Sequence, residues 1–176
     1  IETSFGGKFR SDEIYDLRAN IPAGEVRQKI FNGFTKACHT LYKFDSNTER
    51  IFAIVLENDK DVLKWMRPSP KQFNIYYGSD GVSKYEPDFI VETEDKIYMV
   101  ETKASNEMDS SSVKEKAAAA VVYCRAVSEW NAANDGKPWE YALISHDEVR
   151  LNSSFKYLAS NRVSYIQMGI DDMVRQ

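Results

Sequence analysis

Three polar residues within the stretch YEPDFIVETEDKIYMVETKAS, residues 85 to 105, have types and spacing that suit acid–base and metal chemistry. Asp88 opens one β-rich run, and Glu101 and Lys103 lie near the end of the next run. Because side chains on a strand alternate between its faces, Glu101 and Lys103 project to the same side. A tight turn around residues 93 to 96 brings the start of the first strand opposite the end of the second. The sequence therefore predicts that all three groups meet at one end of a hairpin.

Two converging carboxylates suit a hard cation such as Mg²⁺, with Mn²⁺ as a substitute, because these ions prefer oxygen ligands and keep waters that a substrate phosphate can replace. A nearby lysine can orient a water molecule and offset the charge that develops on phosphate. The three residues therefore predict metal-dependent phosphodiester hydrolysis. The alternative is a set of exposed hairpin residues that form weak surface ion pairs, worth roughly 0 to 1 kcal/mol.

The segments around this hairpin predict the elements that must hold it. Apolar residues at helical spacing in AGEVRQKIFNGFTKACHTLY predict an amphipathic helix, and Ser46 followed three positions later by Glu49 is a capping box that starts a second helix. The predicted elements in chain order are helices at 24–42 and 47–57, an antiparallel meander of strands at 72–77, 88–93 and 97–103, a helix at 113–133, a strand at 139–145 and a short final helix in SSFKYLASN. This order predicts an α/β fold with a mixed central sheet of about four or five strands flanked by helices.

Length and composition indicate one folded domain with an ordinary core. The chain has 176 residues, 43% of them hydrophobic and 28% charged, and no apolar run approaches the roughly 18 residues that a membrane span needs. We therefore expect a single domain at 23–176, preceded by an arm or linker at 1–22, with no membrane partner. The net charge of -4 argues against a protein whose whole surface binds the phosphates of nucleic acid. Metal ions or neighbouring domains must then supply much of any attraction to DNA.

Cysteine usage and the start of the chain lead us to expect a cytoplasmic location. Cys38 and Cys124 lie far apart and have no metal-ligand spacing, so we expect two buried or partly buried thiols in a reducing compartment. The chain starts with Ile1 and shows no basic-then-apolar leader, so we expect a piece cut from a longer protein without a secretory signal. Neither GxxxxGK(S/T) nor GxGxxG occurs, which argues against nucleotide binding by those motifs.

The hairpin resembles the motif of a known nuclease superfamily. PDFIVETEDKIYMVETK is similar to the PD…(D/E)xK signature of restriction-endonuclease-like nucleases, with Asp88, Glu101 and Lys103 at its three named positions. The wider stretch at 43–104 resembles the C-terminal nuclease domain of the restriction subunit of type III restriction-modification enzymes. The resemblance implies a restriction-endonuclease-like core and a Mg²⁺-dependent endodeoxyribonuclease that cuts double-stranded DNA.

The same resemblance implies partners and one more metal ligand. In that family the nuclease domain follows ATP-dependent helicase domains, which this chain lacks, and works with a methyltransferase subunit that recognises the site. Many superfamily members use a glutamate on the helix before the sheet as a further ligand, and Glu49 in TERIFA holds that place, where helix capping competes. Some branches carry a Gln four residues before a Tyr on the next helix. Here Ala119 precedes Tyr123, so that helix is given no catalytic group.

Two alternatives to an endonuclease stay open on the sequence. A noncatalytic module of the same fold that docks helicase or methyltransferase partners would suit the acidic balance of the chain. An exonuclease, or a nuclease for modified DNA, would use the same three residues, because these define the chemistry and not the end of the substrate. Other chemistry-bearing side chains are expected to be structural: His39 and His146, Lys114 and Lys116 on a solvated helix face, Gln72 in a turn hydrogen bond, and Trp65, Trp130, Trp139 and the tyrosines of NIYY in the core.

Overall fold

Eight strands and two long helices make up the regular structure in the computed structural model, which describes residues 14–78 and 81–160. In chain order they are β1 (Ile14–Asp16), β2 (Ile30–Asn32), α1 (Asn47–Asn58), β3 (Val62–Met66), β4 (Ile75–Tyr77), β5 (Ser83–Tyr85), β6 (Phe89–Thr93), β7 (Ile97–Lys103), α2 (Ser111–Ala132) and β8 (Trp139–Ser145). Strands β3, β6, β7 and β8 form one sheet in the order β3-β6-β7-β8. β6 is antiparallel to β3 and β7, whereas β7 and β8 are parallel. The predicted α/β class and mixed sheet are confirmed.

The β6–β7 hairpin lies in the middle of the sheet, as its apolar composition predicts. The Thr93 N–H donates to the carbonyl of Lys96 at 2.9 Å, and the Thr93 hydroxyl bonds within the same turn, which closes the connection. The register pairs Phe89 with Val100, and both of these residues are fully buried. The predicted strands at 88–93 and 97–103 are thus confirmed.

Helix α1 covers one face of the sheet. The Ser46 hydroxyl accepts a hydrogen bond from the Glu49 N–H at 3.1 Å, which is the predicted N-cap. Phe52 on the helix lies edge-on to Phe89 of β6, with ring centroids 5.0 Å apart, and neither ring is exposed. Burying a phenylalanine side chain stabilises a fold by about 1.5 to 3 kcal/mol, so this face is a principal source of stability.

Helix α2 covers the other face and makes the crossover between the parallel strands β7 and β8. Small side chains, Ala117 and Ala120, let the helix approach Met99 of β7 and Tyr141 of β8 closely. Parallel strands need such a long connection, since a tight turn can join only antiparallel ones. The predicted helix at 113–133 and strand at 139–145 are confirmed, and the predicted final helix is present as helical residues 155–160, beyond which the predicted segment lies outside the described residues.

The helix predicted at 24–42 is wrong. A 3-10 helix spans Ala23–Gln28, β2 follows, and Gly33 then adopts a φ of 83°, a conformation that glycine reaches readily and that ends any helix. The loop that follows is bound by Glu57, whose carboxylate accepts hydrogen bonds from the N–H groups of Thr35 and Lys36. Phe31 and Phe34 pack against Phe44 in an aromatic cluster instead of on one helix face, and Leu41 is exposed.

The predicted meander is wrong in its first strand. β4 pairs with β5 in a separate two-stranded sheet, and β3 takes the place beside β6 that the meander assigned to residues 72–77. Between β3 and β4, Lys71 has a φ of 68°, which bends the chain away from the main sheet. The segment VLKWM was missed because two of its five residues, Leu63 and Lys64, are exposed and its alternation is broken.

The predicted arm at 1–22 lies partly outside the described residues, which begin at position 14. In its described part, β1 pairs in parallel with β2, and Leu17 is fully buried. The Arg50 guanidinium of α1 donates to the carbonyls of Leu17 and Ala19, which holds this segment against the domain. The boundary at 22 stays a prediction. Across residues 14–78 and 81–160, neither helix is both long enough and apolar enough to cross a membrane.

Candidate active site

Asp88 and Glu101 face each other at the open end of the central hairpin. Extending the register of Phe89 and Val100 by one position places Asp88 across from Glu101. Met99 lies on the α2 side of the sheet, so strand alternation puts Glu101 and Lys103 on that same side. The structure therefore brings together the three residues that the motif predicts.

Glu101 is a buried carboxylate paired with a lysine. Its side chain is 6% exposed, and its Oε1 lies 3.1 Å from the Nζ of Lys103. Burial raises the pKa of Glu101 to about 7, the negative charge of Asp88 adds to this rise, and the positive charges of Lys103 and Lys116 oppose it. Within the described part of the chain its Oε2 has no hydrogen-bond partner. The carboxylate has about four lone-pair sites, so most of its capacity to accept is unused.

Lys103 keeps its proton at neutral pH. Partial burial lowers the pKa of the Lys103 ammonium, but the carboxylates of Glu101 and Asp88 outweigh burial, and the net shift is upward. The side chain remains 27% exposed, so its ammonium reaches the open side of the pair. A cation in this position acts by charge and hydrogen bonding and not as a base.

Asp88 is fixed by Thr102, to which the sequence analysis gave no role. The Thr102 N–H and hydroxyl both donate to Asp88 Oδ2, at 2.8 and 3.0 Å. Asp88 Oδ1 accepts no hydrogen bond from residues 14–78 or 81–160 and stays available for a ligand. The signal was present in the motif, since Thr102 stands between Glu101 and Lys103.

Glu49 lies near the site but already has partners. Its Oε2 is 2.9 Å from Nη2 of Arg67 and accepts a hydrogen bond from the Asp45 N–H at 2.9 Å. Burial raises the pKa of Glu49, Arg67 opposes that rise, and Asp88 lies close enough to add to it. The bond from the Glu49 N–H confirms Ser46 as the N-cap, whereas the Glu49 carboxylate itself bonds the Asp45 N–H and Arg67. Sequence reasoning did not find Arg67, because the contact depends on the path of β3.

The donor set fits Mg²⁺ with two carboxylates better than with three. Over the described ranges, no three His, Cys, Asp or Glu side chains are arranged to hold a metal ion, so Asp88, Glu101 and Glu49 do not form a ready cage. Mg²⁺ usually binds to proteins through one or two carboxylates and completes its shell with waters and substrate phosphate. The carboxylates of Asp88 and Glu101, which lie opposite each other at the open end of the hairpin, suit that arrangement.

The two lysines of helix α2 differ in their surroundings. Lys114 is exposed, as predicted. Lys116 is half-buried, its Nζ lies 5.6 Å from the ring centroid of Tyr77, and its charge acts on Glu101. A solvated face therefore does not describe Lys116, which places a second positive charge beside Lys103.

Among the remaining predictions, the turn role of Gln72 is confirmed, because its side-chain oxygen accepts from the Ser69 N–H at 2.9 Å. Trp65 is buried as predicted, whereas Trp130 is 66% exposed and the core assignment for it is wrong. The expectation of buried or partly buried thiols holds for Cys124 and is wrong for Cys38, which is exposed.

A mixed sheet between helices that carries Asp, Glu and Lys at one end of its central hairpin defines a restriction-endonuclease-like domain. A family model described as "Endonuclease domain" matches residues 35–129, which is more than half of the chain and includes the whole hairpin. The chain belongs to this endonuclease-domain family, and its family activity is that of a DNA nuclease. Neither a curated protein nor a solved structure matches the chain.

Proposed function

We propose that this chain is the nuclease domain of a type III restriction enzyme and that it hydrolyses double-stranded DNA with Mg²⁺, or with Mn²⁺ in its place. The observation that carries the proposal is the buried Glu101 carboxylate, which pairs with Lys103 and lies opposite Asp88. The family match supports the nuclease class. The resemblance over 43–104 supports the type III assignment.

Asp88 and Glu101 would hold the cation, and Thr102 keeps Asp88 in place from the other side. A bound Mg²⁺ supplies Lewis-acid polarisation of the phosphate and a lower pKa for the attacking water. Lys103 would orient that water and offset the charge on phosphate as the bond from water oxygen to phosphorus forms and the bond to the leaving sugar oxygen breaks. The proton of the attacking water would pass to solvent, and the leaving oxygen would take a proton from solvent. The raised pKa of Lys103 favours the charged ammonium that this role needs.

Glu49 is proposed as a third carboxylate only if its ion pair with Arg67 opens, because that contact and the Asp45 N–H both occupy Oε2 of Glu49. With the pair closed, Glu49 serves as a helix cap. The same side chain therefore has a structural role in the ion-free protein and a conditional role at the metal.

The complete enzyme would add parts that this chain lacks. The net charge of -4 means that neighbouring domains and metal ions supply attraction to the DNA backbone. In the type III arrangement those domains are ATP-dependent helicase domains, with a methyltransferase subunit that recognises the site. We therefore propose the helicase and the methyltransferase as partners, with ATP acting only outside this chain.

Two exposed apolar side chains on α2 favour a second function. Val122 and Trp130 are 53% and 66% exposed and stand two turns apart on the same side of the helix. A noncatalytic docking module for helicase or methyltransferase partners would use such a surface. It would not need a cation site at the hairpin.

Plasmid cleavage separates these functions. The intact chain, and the complete protein with ATP, are incubated with supercoiled and linear DNA in Mg²⁺ or in chelator, beside Asp88→Ala and Lys103→Ala. Lys96→Ala is the matched control, because Lys96 pairs with Glu140 at the opposite end of the hairpin. We expect Mg²⁺-dependent nicking that both site variants lose and the control keeps. Undiminished cleavage by both site variants would contradict the assignment of Asp88 and Lys103 to the active site. Cleavage of linear DNA alone would indicate an exonuclease.

A further inference from the structure

Three buried polar atoms, one of them an oxygen of the Glu101 carboxylate, lack hydrogen-bond partners in the described part of the chain. They are Oε2 of Glu101 and the hydroxyl oxygens of Tyr85 and Tyr141, and none has a hydrogen-bond partner within residues 14–78 and 81–160. Glu101, Tyr85 and Tyr141 are 5%, 2% and 3% exposed. Buried polar atoms in native proteins almost always have partners, so three together need an explanation.

The two tyrosines reach Glu101 from outside the central hairpin. Tyr85 ends β5, in the small separate sheet, three residues before Asp88. Tyr141 lies on β8, opposite Met99 in the parallel register, on the side of the sheet that carries Glu101. Two different elements therefore bring a phenol to the inner side of one carboxylate.

The three groups are close enough to act on one another. Burial raises the pKa of Tyr85 well above its usual range, and the neighbouring Tyr141 and Glu101 add to that rise. Burial likewise raises the pKa of Tyr141, and Glu101 is the next cause. A tyrosine phenol is protonated at neutral pH even without such shifts and is a hydrogen-bond donor. Glu101 Oε2 is the acceptor that lacks a donor.

We propose that Tyr85 and Tyr141 are positioning residues for Glu101: the Tyr85 hydroxyl donates to Glu101 Oε2, and the Tyr141 hydroxyl donates to the oxygen of Tyr85. This inference rests on the proposed function, because it assigns the tyrosines to the metal-binding carboxylate. Fixing Oε2 from the buried side directs Oε1 and Lys103 toward the open side, where DNA and the cation enter. Partners of this kind orient metal ligands and are as necessary to the site as the ligands themselves.

Metal affinity without DNA tests the inference. Mg²⁺ and Mn²⁺ are titrated separately into the intact chain by calorimetry, together with Tyr85→Phe, Tyr141→Phe and the double variant. Tyr98→Phe is the matched control, because Tyr98 lies on the same strand as Glu101 but packs on the α1 side. Thermal melting of each metal-free variant reports folding.

We expect Tyr85→Phe to weaken Mg²⁺ binding by about 10- to 100-fold, the range for removing a partner of a metal ligand. Tyr141→Phe should weaken it less, and the double variant should match Tyr85→Phe alone, because Tyr141 acts through Tyr85. The control should bind as the unchanged chain does. If Tyr85→Phe does not fold, weaker binding in a folded Tyr141→Phe supports the inference.

Two results would overturn the inference while leaving the proposed function intact. One is unchanged Mg²⁺ affinity in folded Tyr85→Phe, or in folded Tyr141→Phe where the first variant does not fold. The other is a higher melting temperature of the phenylalanine variants with unchanged Mg²⁺ affinity. That result would show that the tyrosine hydroxyls are buried without hydrogen-bond partners. A chain with no Mg²⁺ affinity at all overturns the proposed function as well.

Discussion

Thr102 binds Asp88 with both its backbone N–H and its hydroxyl, at 2.8 and 3.0 Å, so one residue of β7 fixes the carboxylate that opens β6. Thr102→Val removes only the hydroxyl bond. Hydrogen bonds to charged groups contribute about 1.5 to 3 kcal/mol, so we expect a loss of stability of that order. Cleavage should fall by about 10-fold or more, because Asp88 loses part of its orientation.

Thr102→Ser is the control for that prediction, since it keeps the hydroxyl. Cleavage rates and urea unfolding of both variants provide the measurement. A valine variant that cleaves and unfolds as the unchanged chain does would show that the Thr102 hydroxyl does not orient Asp88.

Glu101→Gln should abolish cleavage and stabilise the metal-free protein at neutral pH. The unchanged carboxylate is buried and close to Asp88, and its pKa is raised to about 7, which shows that its charge is disfavoured in the fold. Removing that charge should increase the free energy of unfolding by about 1 kcal/mol, a typical gain when a strained active-site group is replaced. Urea unfolding at neutral pH in chelator measures it.

Glu92→Gln is the comparison for Glu101→Gln, because Glu92 is a partly exposed carboxylate on the same hairpin that pairs with Lys137. We expect it to change stability by less than about 1 kcal/mol and to leave cleavage intact. A Glu101→Gln protein that is less stable than the unchanged chain would contradict the prediction.

Glu49→Gln should affect stability more than metal binding. Its carboxylate pairs with Arg67 and accepts from the Asp45 N–H, so its present contacts are structural. We expect the free energy of unfolding to fall by about 1 kcal/mol, as it does when a helix cap is lost. The fall in Mg²⁺ affinity should be smaller than the fall that Asp88→Asn causes. Ser46→Ala is the matched change, because it removes the other half of the cap. A fall in affinity equal to that of Asp88→Asn would establish Glu49 as a full ligand.

Lys116→Ala should weaken DNA binding, and Lys114→Ala should not. Lys116 is half-buried and its charge reaches Glu101, whereas Lys114 is exposed on the same helix. Losing one phosphate contact makes the plot of log affinity against log salt concentration less steep by about 1. Fluorescence anisotropy of a short duplex over a salt series, with Asp88→Ala as the uncleaving background, measures it. Equal slopes for the two variants would assign Lys116 to the solvated face.

Glu57 makes the fold depend on pH in acid. Its carboxylate accepts from Thr35, Lys36 and the Trp65 indole, at 2.7, 3.0 and 2.8 Å. Burial alone would raise the pKa of Glu57, but these bonds outweigh burial and the net shift is downward. Because the folded state binds this proton less tightly than the unfolded chain, the contribution is present above the unfolded value of 4.5 and is lost as pH falls through the lower folded value.

Glu57→Gln should therefore unfold more easily at neutral pH and show a weaker dependence on pH in acid. Urea unfolding over a series of pH values measures both, and exposed Glu115→Gln is the comparison. A Glu57→Gln protein with the same acid dependence as the unchanged chain would contradict this assignment.

The hairpin and its three motif residues could be predicted because strand alternation is a local pattern and because both strands contain apolar runs. The predictions that were wrong or missing concern contacts between distant segments of the chain. β3 was missed because VLKWM alternates poorly, and its place beside β6 is visible only once the sheet forms. The Arg67 partner of Glu49 was missed for the same reason, since the two residues meet only through tertiary packing.

The strand that carries Glu101 and Lys103 lies between β6 and β8, and β8 comes late in the chain. The ribosome therefore synthesises Asp88, Glu101 and Lys103 well before it synthesises β8, the strand that flanks Glu101 and Lys103. A chain that ends before β8 therefore leaves the edge of β7 unpaired, and Glu101 and Lys103 lie on that exposed edge strand.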